Sequence, residues 1–302
     1  MPQLVDCLIV GGGPAGLTAA VYLGRFRRQA ALVDGGWSRA EWITLSHNLG
    51  GFPDGIAGPA YLDLLRRQAR NYGCIPENGY VEALRRGDDG GFVADLAGRT
   101  IAARTVILAT GVVENKPPVP HLADAVKRGV IRTCPICDGY ESIGKRIAVL
   151  GHGPHAAAEA LFLRTYASAL TVLLVDDAPL PAETEADLAA VGIAVLRIAA
   201  AAIEMQDHGL VVVTAADGVR HPFDAFYTAF GTTSQTQLAA ALGARMDEAG
   251  RLFVGAHQET SVPGLYAAGD LVRGLNQISV ANGEAAIAAT AVHNGLPRVP
   301  AR

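Results

Sequence analysis

The chain has 302 residues, of which 50% are hydrophobic and 18% are charged, and its formal net charge at pH 7 is -4. A chain of this length and composition can bury the cores of two ordinary domains, and it lacks the low hydrophobicity of disordered sequences. The slight negative charge gives no surface for nucleic acid or anionic lipid, so we expect neither nucleic acid nor a membrane as a partner. The chain starts without a leader pattern, and we predict a soluble cytoplasmic protein.

The first predicted element is a short apolar strand, Val5 to Val10, followed by the turn Gly11-Gly12-Gly13-Pro14-Ala15-Gly16 and an amphipathic helix pattern. This order is typical of a nucleotide-binding βαβ unit. Gly11 permits a tight turn, Gly13 lets the backbone approach a pyrophosphate, and Gly16 allows close packing of helix on strand. The alternative interpretation is a glycine turn without a ligand.

The following segments complete the first unit. Ala30 to Asp34 is an apolar strand ending in an acid, which is placed to accept hydrogen bonds from a ribose diol. Tyr80 to Leu84 and Phe92 to Leu96 alternate between apolar and polar residues, as in an antiparallel meander. Val106 to Gly111 is a closing strand. Since strand, helix and acid agree, we predict a dinucleotide site on a parallel sheet.

A second copy of the same pattern begins at Arg146. The apolar strand Arg146 to Leu150 precedes Gly151-His152-Gly153-Pro154-His155-Ala156 and a helix pattern through Leu163. Predicted strands follow at 170–176, 209–214 and 225–231. The repeat predicts a second dinucleotide-type domain with its own parallel sheet.

The second fingerprint is a possible nicotinamide site. His152 and His155 put imidazoles where a pyrophosphate needs room, and the acids Asp176 and Asp177 would repel a 2′-phosphate. NADPH is therefore disfavoured, and two alternatives stay open: binding of NADH, or no usable nicotinamide site. The residues that would form the site are Gly151, Gly153, Ala156 and Asp176.

The last part of the chain belongs with the first unit. Leu265 to Asp270 is a strand into a tight turn, and Ser279 to His293 is an Ala-rich helix that the second unit does not need. Linkers are predicted at 114–120 and 245–250. We therefore predict an α/β fold with two Rossmann-like domains, the second inserted into the first. The predicted bounds are 1–115 with 247–302 for the first domain and 116–246 for the second.

A pair of cysteines lies just ahead of the second fingerprint, in Cys134-Pro135-Ile136-Cys137-Asp138. This spacing can form a disulfide in a small loop, and Asp138 can donate or accept a proton for a thiol. A single pair cannot complete a four-ligand zinc site, so we expect no metal. The alternative is two buried structural cysteines. Cys7 and Cys74 are predicted to be inert packing residues.

These segments, in their order and spacing, resemble the low-molecular-weight thioredoxin reductases over essentially the whole chain; further landmarks are 47–53, 109–111 and 268–270. The resemblance implies FAD, a homodimer, and a thioredoxin-like protein or a small disulfide or dithiol as substrate. It implies that Cys137 lies next to the flavin ring, that Cys134 meets the substrate and that Asp138 manages the proton. The FAD-binding residues that it implies are Gly11, Gly13, Pro14, Ala15, Gly16, Asp34, Asn48, Gly111, Gly269, Asp270 and Gln277.

One departure from the family concerns the nicotinamide domain, where a basic motif usually follows the second strand and this chain has Val175-Asp176-Asp177. Relatives with degraded nicotinamide sites use other electron donors, or oxidise small dithiols with oxygen. We therefore predict an FAD-dependent thiol–disulfide oxidoreductase, with the donor and the direction of electron flow left open. Two rival hypotheses are a flavin NADH oxidase or quinone reductase whose cysteines are bystanders, and a redox-sensing protein without turnover.

Overall fold

The computed structural model of the protein describes residues 4–117, 122–198, 203–206, 211–215 and 217–298. The strands in chain order are β1 (Leu4–Val10), β2 (Ala30–Asp34), β3 (Glu77–Asn78), β4 (Val81–Arg86), β5 (Phe92–Leu96), β6 (Arg99–Leu108), β7 (Val112–Glu114), β8 (Ile131–Arg132), β9 (Arg146–Gly151), β10 (Ala169–Leu174), β11 (Ala194–Arg197), β12 (Ile203–Met205), β13 (Val211–Thr214), β14 (Arg220–Phe223), β15 (Ala225–Ala229), β16 (Thr232–Ser234) and β17 (Leu265–Ala267). The helices are α1 (Pro14–Arg25), α2 (Gly58–Asn71), α3 (Leu122–Lys127), α4 (Pro135–Asp138), α5 (Gly153–Leu163), α6 (Ala182–Ala190), α7 (Gln237–Ala241) and α8 (Ile278–Gly295).

Contacts divide the chain into two compact units. The first unit comprises Met1–Glu41, Ala57–Val113 and Thr233–Arg302, and the second comprises Trp42–Ile56 and Glu114–Thr232. Two Rossmann-like sheets, one in each unit, confirm the predicted α/β fold with two Rossmann-like domains, and the insertion of the second domain into the first remains a prediction. The domain bounds at 115, 116, 246 and 247 remain a prediction.

The first unit is built on a sheet in which β3, β2, β1, β6 and β17 are parallel neighbours. The residues from Cys7 to Val10 are all buried, as expected for a strand covered on both faces. The predicted meander is present as the antiparallel strands β4, β5 and β6, with Phe92 opposite Ala103. Helix α1 packs against α8 and α2. Because α1 begins four residues after β1 ends, its start lies directly after the carboxyl end of β1.

The second unit is built on a five-stranded parallel sheet with the order β11, β10, β9, β15, β8. Alternate residues of β9 face opposite sides, because successive side chains of a strand point in opposite directions. Ile147 and Val149 pack in a core with α5, whereas Ala148 and Leu150 pack in a core with the antiparallel strands β12, β13 and β14. Because β10 and β15 both pair with β9 in parallel, the carboxyl ends of these three strands meet at one edge of the sheet.

Some predicted strands end earlier than the apolar pattern indicates. The strand predicted from Leu170 to Asp176 ends at Leu174, so Asp176 lies in the following loop. There its Oδ1 accepts a hydrogen bond from the N–H of Ala178, a local turn that competes with continued strand pairing. Residues 118–120 of one predicted linker and residues 209 and 210 of a predicted strand lie outside the described residues. Within the described ranges, every helix is too short or too polar to cross a membrane.

Candidate functional site

The first fingerprint turn, in the first unit, is constrained by its own backbone. Gly11 has φ of +110°, and a Cβ on it would lie 2.3 Å from the carbonyl oxygen of Ala109. A Cβ on Gly16 would lie 1.8 Å from the carbonyl oxygen of Gly11. Side chains at these two positions would collide with backbone, so both glycines are needed to form the turn.

Gly13 is different, because no protein atom requires a glycine there. A Cβ on Gly13 would meet only the Oγ of Ser38, at 3.3 Å, and the backbone has ordinary extended angles. Gly13 caps α1 without a side-chain hydrogen bond, and Pro14 follows it at the first helical position. Open space beside uncapped helical N–H groups is the arrangement that cradles a dinucleotide diphosphate. The residues present therefore fit a dinucleotide at this turn.

The acid that ends β2 faces the same turn. A Cβ on Gly12 would lie 2.1 Å from Oδ2 of Asp34, so the carboxylate covers the backbone of residue 12. The other oxygen, Oδ1, accepts a hydrogen bond of 2.9 Å from the N–H of Gly36. Asp34 is thereby held beside the turn with its Oδ2 toward the fingerprint, as a ribose-binding acid requires.

A second loop, after β17, reaches the start of α1. Gly269 has φ of +90°, and a Cβ on it would lie 3.1 Å from the Cβ of Ala15. The N–H of Gly269 donates to Oε2 of Glu284 at 2.7 Å. Burial raises the pKa of the Glu284 carboxyl, the Gly269 hydrogen bond opposes this, and nearby Asp270 adds to it. The fingerprint and the second loop thus lie side by side within the first unit.

Asp270, the next residue of this loop, is ion-paired. Its Oδ2 lies 3.2 Å from NH1 of Arg39. Burial raises the pKa of Asp270, and the Arg39 guanidinium opposes that rise. Sequence motifs did not identify Arg39 or Glu284. Only Glu284 left a signal, as a single acid in an Ala-rich helix.

The remaining predicted residues occupy three places. Gly111, with φ of +64°, accepts a backbone hydrogen bond from Gln235 in the first unit. Gln277 caps the start of α8 in the same unit. Asn48 belongs to the second unit, where its Nδ2 donates to the carbonyl oxygen of Ile136 at 3.3 Å. Asn48 therefore lies beside the cysteine helix.

The cysteine pair lies in the second unit and forms a disulfide. Cys134 caps α4 and Cys137 lies in its single turn, with Cα atoms 5.3 Å apart. The N–H of Cys137 donates to the carbonyl oxygen of Cys134 at 3.0 Å, and Pro135 occupies the first helical position. One helical turn places the two sulfur atoms within bonding distance, and both residues are only partly buried.

Asp138, directly after the disulfide, is held by side chains from two neighbouring strands. NH1 of Arg132 lies 3.1 Å from Oδ2 of Asp138, and the hydroxyl of Tyr227 donates to Oδ1 at 2.9 Å. Arg132 and Tyr227 are register partners in the parallel strands β8 and β15. The Oγ of Ser142 lies 3.0 Å from the Tyr227 hydroxyl. The carboxylate is therefore fixed by groups that contact both of its oxygens.

This environment shifts the pKa of Asp138. Burial raises it, and the charge of Arg132 and the hydrogen bond from Tyr227 partly oppose the rise. Burial also raises the pKa of the Tyr227 hydroxyl, which therefore stays protonated and continues to donate. A carboxyl whose pKa lies above its ordinary value is better suited to exchange protons with a thiol near neutral pH. The sequence pattern did not reveal Arg132 or Tyr227.

The second fingerprint differs from the first in the contacts of the acid that lies beside it. Gly151 repeats the role of Gly11, since a Cβ on it would lie 2.4 Å from the carbonyl oxygen of Ala229. His152 Nδ1, however, lies 2.8 Å from Oδ2 of Asp176. Because a carboxylate only accepts, the imidazole N–H is the donor. His155 lies on α5 and its Nε2 is 3.5 Å from Glu159.

The other two cysteines are buried thiols. Cys7 and Cys74 are 0% and 2% exposed. Burial raises the pKa of Cys7 to about 12 and that of Cys74 to about 11. Such thiols are protonated at neutral pH, and their burial agrees with the predicted role in packing.

Comparison with known proteins gives a consistent result. The sequence model of the pyridine nucleotide-disulphide oxidoreductase family matches residues 5–285. The thioredoxin reductase of Listeria monocytogenes is 28% identical over 298 residues, which cover 95% of this chain and 92% of that protein.

Solved structures agree over nearly the whole chain. The thioredoxin reductase of Streptococcus pyogenes superposes with a TM-score of 0.88 at 26% identity, covering 97% of this chain and 98% of that one. An oxidoreductase of Agrobacterium tumefaciens gives a TM-score of 0.83 at 29% identity, with the same coverage. This chain therefore belongs to the pyridine nucleotide-disulphide oxidoreductase family and is a flavoprotein oxidoreductase of the thioredoxin reductase-like kind.

Proposed function

We propose that this protein is an FAD-dependent thiol–disulfide oxidoreductase in which Cys134 and Cys137 exchange two electrons with FAD and with a disulfide or dithiol substrate. The observation that supports it best is the disulfide followed at once by the held carboxyl of Asp138. A purely structural disulfide has no need of a proton-exchanging group at this place. The names of the relatives favour a thioredoxin-like protein as substrate, with a small disulfide or dithiol as the alternative.

The exchange step follows from the cysteine geometry. A substrate thiolate attacks Sγ of Cys134, the bond between Cys134 and Cys137 breaks, and Cys137 leaves as a thiolate. The second substrate thiol then displaces Cys134, which yields a substrate disulfide and two cysteine thiols. Asp138 takes or returns the proton of the reacting thiol. With a reductant feeding the flavin, the same steps run in reverse and reduce a disulfide.

We propose that FAD binds at the fingerprint and the loop after β17 in the first unit, and that it supplies the two-electron acceptor or donor when bound. Gly13 and the start of α1 would hold its diphosphate, and Asp34 would hold the ribose. Asp270 would also contribute to FAD binding, with its carboxylate held by the ion pair to Arg39. The FAD-binding domain would comprise 1–115 and 247–302, and the dithiol domain 116–246. By the same resemblance, a cytoplasmic homodimer is the expected form.

The test is an anaerobic titration of FAD-loaded protein with dithiothreitol, followed by flavin absorbance. Wild-type protein should bleach, whereas Cys137→Ser should keep its yellow colour and its flavin should stay oxidised. The matched control is Cys74→Ala, which removes a buried thiol and should bleach like wild type. If Cys137→Ser bleaches at the wild-type rate, the dithiol has no part in electron transfer and the two cysteines are bystanders.

A further inference from the structure

The family name implies a nicotinamide nucleotide, and the residues of the second fingerprint do not fit one. We infer that the imidazole of His152 closes this fingerprint, so that the second unit binds neither NADH nor NADPH. Nucleotide binding can be measured without any redox turnover, so the outcome does not depend on the proposed function.

The two copies of the βαβ unit provide an internal comparison. In the first copy, Val10 pairs with Val33, and Asp34 follows as the ribose-facing acid. In the second copy, Leu150 pairs with Leu173, and the residue that follows is Leu174, which is buried. A buried leucine cannot accept hydrogen bonds from a ribose diol. The place of the acid is therefore apolar in the second copy.

The nearest acid in the second copy is already bonded. Asp176 lies two residues beyond Leu174, where its Oδ2 accepts from His152 at 2.8 Å and its Oδ1 accepts from the N–H of Ala178 at 3.2 Å. Arg197 fixes the same loop by donating to the carbonyl oxygens of residues 176 and 178. A ribose would have to displace a hydrogen bond to a charged group before it could bind Asp176.

His152 also occupies the space above the turn. It stands where the first copy has Gly12, a position at which even a Cβ would collide with Asp34. Its Nδ1 contacts Asp176, and its ring contacts the ring of Phe230, with centroids 4.9 Å apart at 81°. These residues follow β10 and β15, which flank β9 in the sheet. The imidazole thus lies across the carboxyl ends of the strands, where ligands of such sheets bind.

The first test uses wild-type protein loaded with FAD. Calorimetric titration with NAD⁺ and NADP⁺ up to millimolar concentration should show no binding, and anaerobic NADH or NADPH should leave the flavin oxidised. Micromolar binding of either nucleotide would overturn the inference. Because this test needs no variant, it is decisive even if a substituted protein does not fold.

The second test removes the imidazole. His152→Gly restores the residue of the first copy and should tighten NAD⁺ binding about ten- to hundredfold, the cost of displacing one hydrogen bond to a charged group. The matched control is His221→Ala, which removes an imidazole of β14 in the same unit and should bind nucleotide no better than wild type. If His152→Gly is folded, by its flavin spectrum and melting temperature, and gains no affinity, His152 is not what closes the site.

Discussion

Asp138 shows how a single carboxyl is held by a residue far away in the chain. Tyr227 is 89 residues downstream and donates to Oδ1 from a fully buried position. A fully buried tyrosine hydroxyl needs hydrogen-bond partners, and here one of them is the carboxyl next to the disulfide. Strand pairing of β8 with β15 therefore sets the chemistry of the cysteine helix.

We predict that Tyr227→Phe shifts the pH dependence of thiol exchange. The Tyr227 hydrogen bond lowers the pKa of Asp138 against the effect of burial, so its loss should raise that pKa further. The acidic limb of the pH–rate profile should then move to higher pH. Single-turnover bleaching by dithiothreitol across a pH series measures this shift. We expect a loss of stability of about 1–2 kcal/mol as well.

The control for this prediction is Tyr140→Phe, because Tyr140 is 74% exposed. Its profile should match wild type. An unchanged profile for Tyr227→Phe would mean that Asp138 does not limit the rate.

At the scale of single residues, the sequence pointed to residues that lie within one short motif, but it did not reveal the side chains that contact them. Cys134, Cys137 and Asp138 are close together in sequence, so their spacing was sufficient. Arg132 and Tyr227 become neighbours only when β8 pairs with β15, and no local pattern encodes that pairing. His152 was predicted to obstruct a pyrophosphate, but its bond to Asp176 depends on where β10 ends.

Among the elements, β9 and β15 are joined at their starting ends by an ion pair with three hydrogen bonds. The backbone N–H and Nε of Arg146 donate to Oδ2 of Asp224, and NH2 donates to Oδ1 at 2.7 Å. The Arg146 hydrogen bond lowers the pKa of Asp224 to about 2. This pair fixes the register of the two central strands of the second unit.

We predict that Asp224→Asn lowers the melting temperature at neutral pH by a few degrees. A lowered folded-state pKa stabilises the protein above the ordinary pKa of 3.8, and this stabilisation is lost as the pH falls towards about 2. The difference between variant and wild type should therefore shrink between about pH 4 and pH 2. Thermal melts over that range measure it, with Asp54→Asn in an exposed loop as the control. A difference that stays constant down to pH 2 would contradict the assignment.

Element types were predicted well where the apolar pattern is long. Ala30–Asp34 and Phe92–Leu96 have the predicted bounds, and α5 ends at the predicted Leu163. The apolar pattern did not predict where strands end before loops, since Val175 is apolar but follows β10 rather than extending it. Turn hydrogen bonds made by Asp176 decide that boundary.

On the scale of the whole molecule, the two units repeat one architecture with different side chains at their glycine turns. The first retains an open cradle at Gly13, and the second has His152 bonded across its turn. The internal repeat was visible in the sequence because both glycine turns follow apolar strands. The sequence revealed the difference between the two glycine turns only in part, because that difference depends on side-chain contacts between loops.

We predict that FAD protects the first fingerprint from hydrogen exchange and leaves the second unchanged. A ligand that binds only the folded first unit stabilises the segments that contact it. Comparing the FAD-free and FAD-loaded protein by mass spectrometry should show slower exchange in 11–25 and no change in 151–163. Equal protection of both segments would mean that the second fingerprint also binds the dinucleotide.

Because two of the four cysteines are buried thiols, chemical labelling of cysteine can report the oxidation state of the other two. Because Cys7 and Cys74 stay protonated and shielded at neutral pH, an alkylating reagent can reach only the remaining pair, and only once its disulfide is reduced. The mass of the intact protein after brief alkylation then counts two added groups or none. The oxidation state during turnover can thus be followed on unaltered protein, with no engineered reporter.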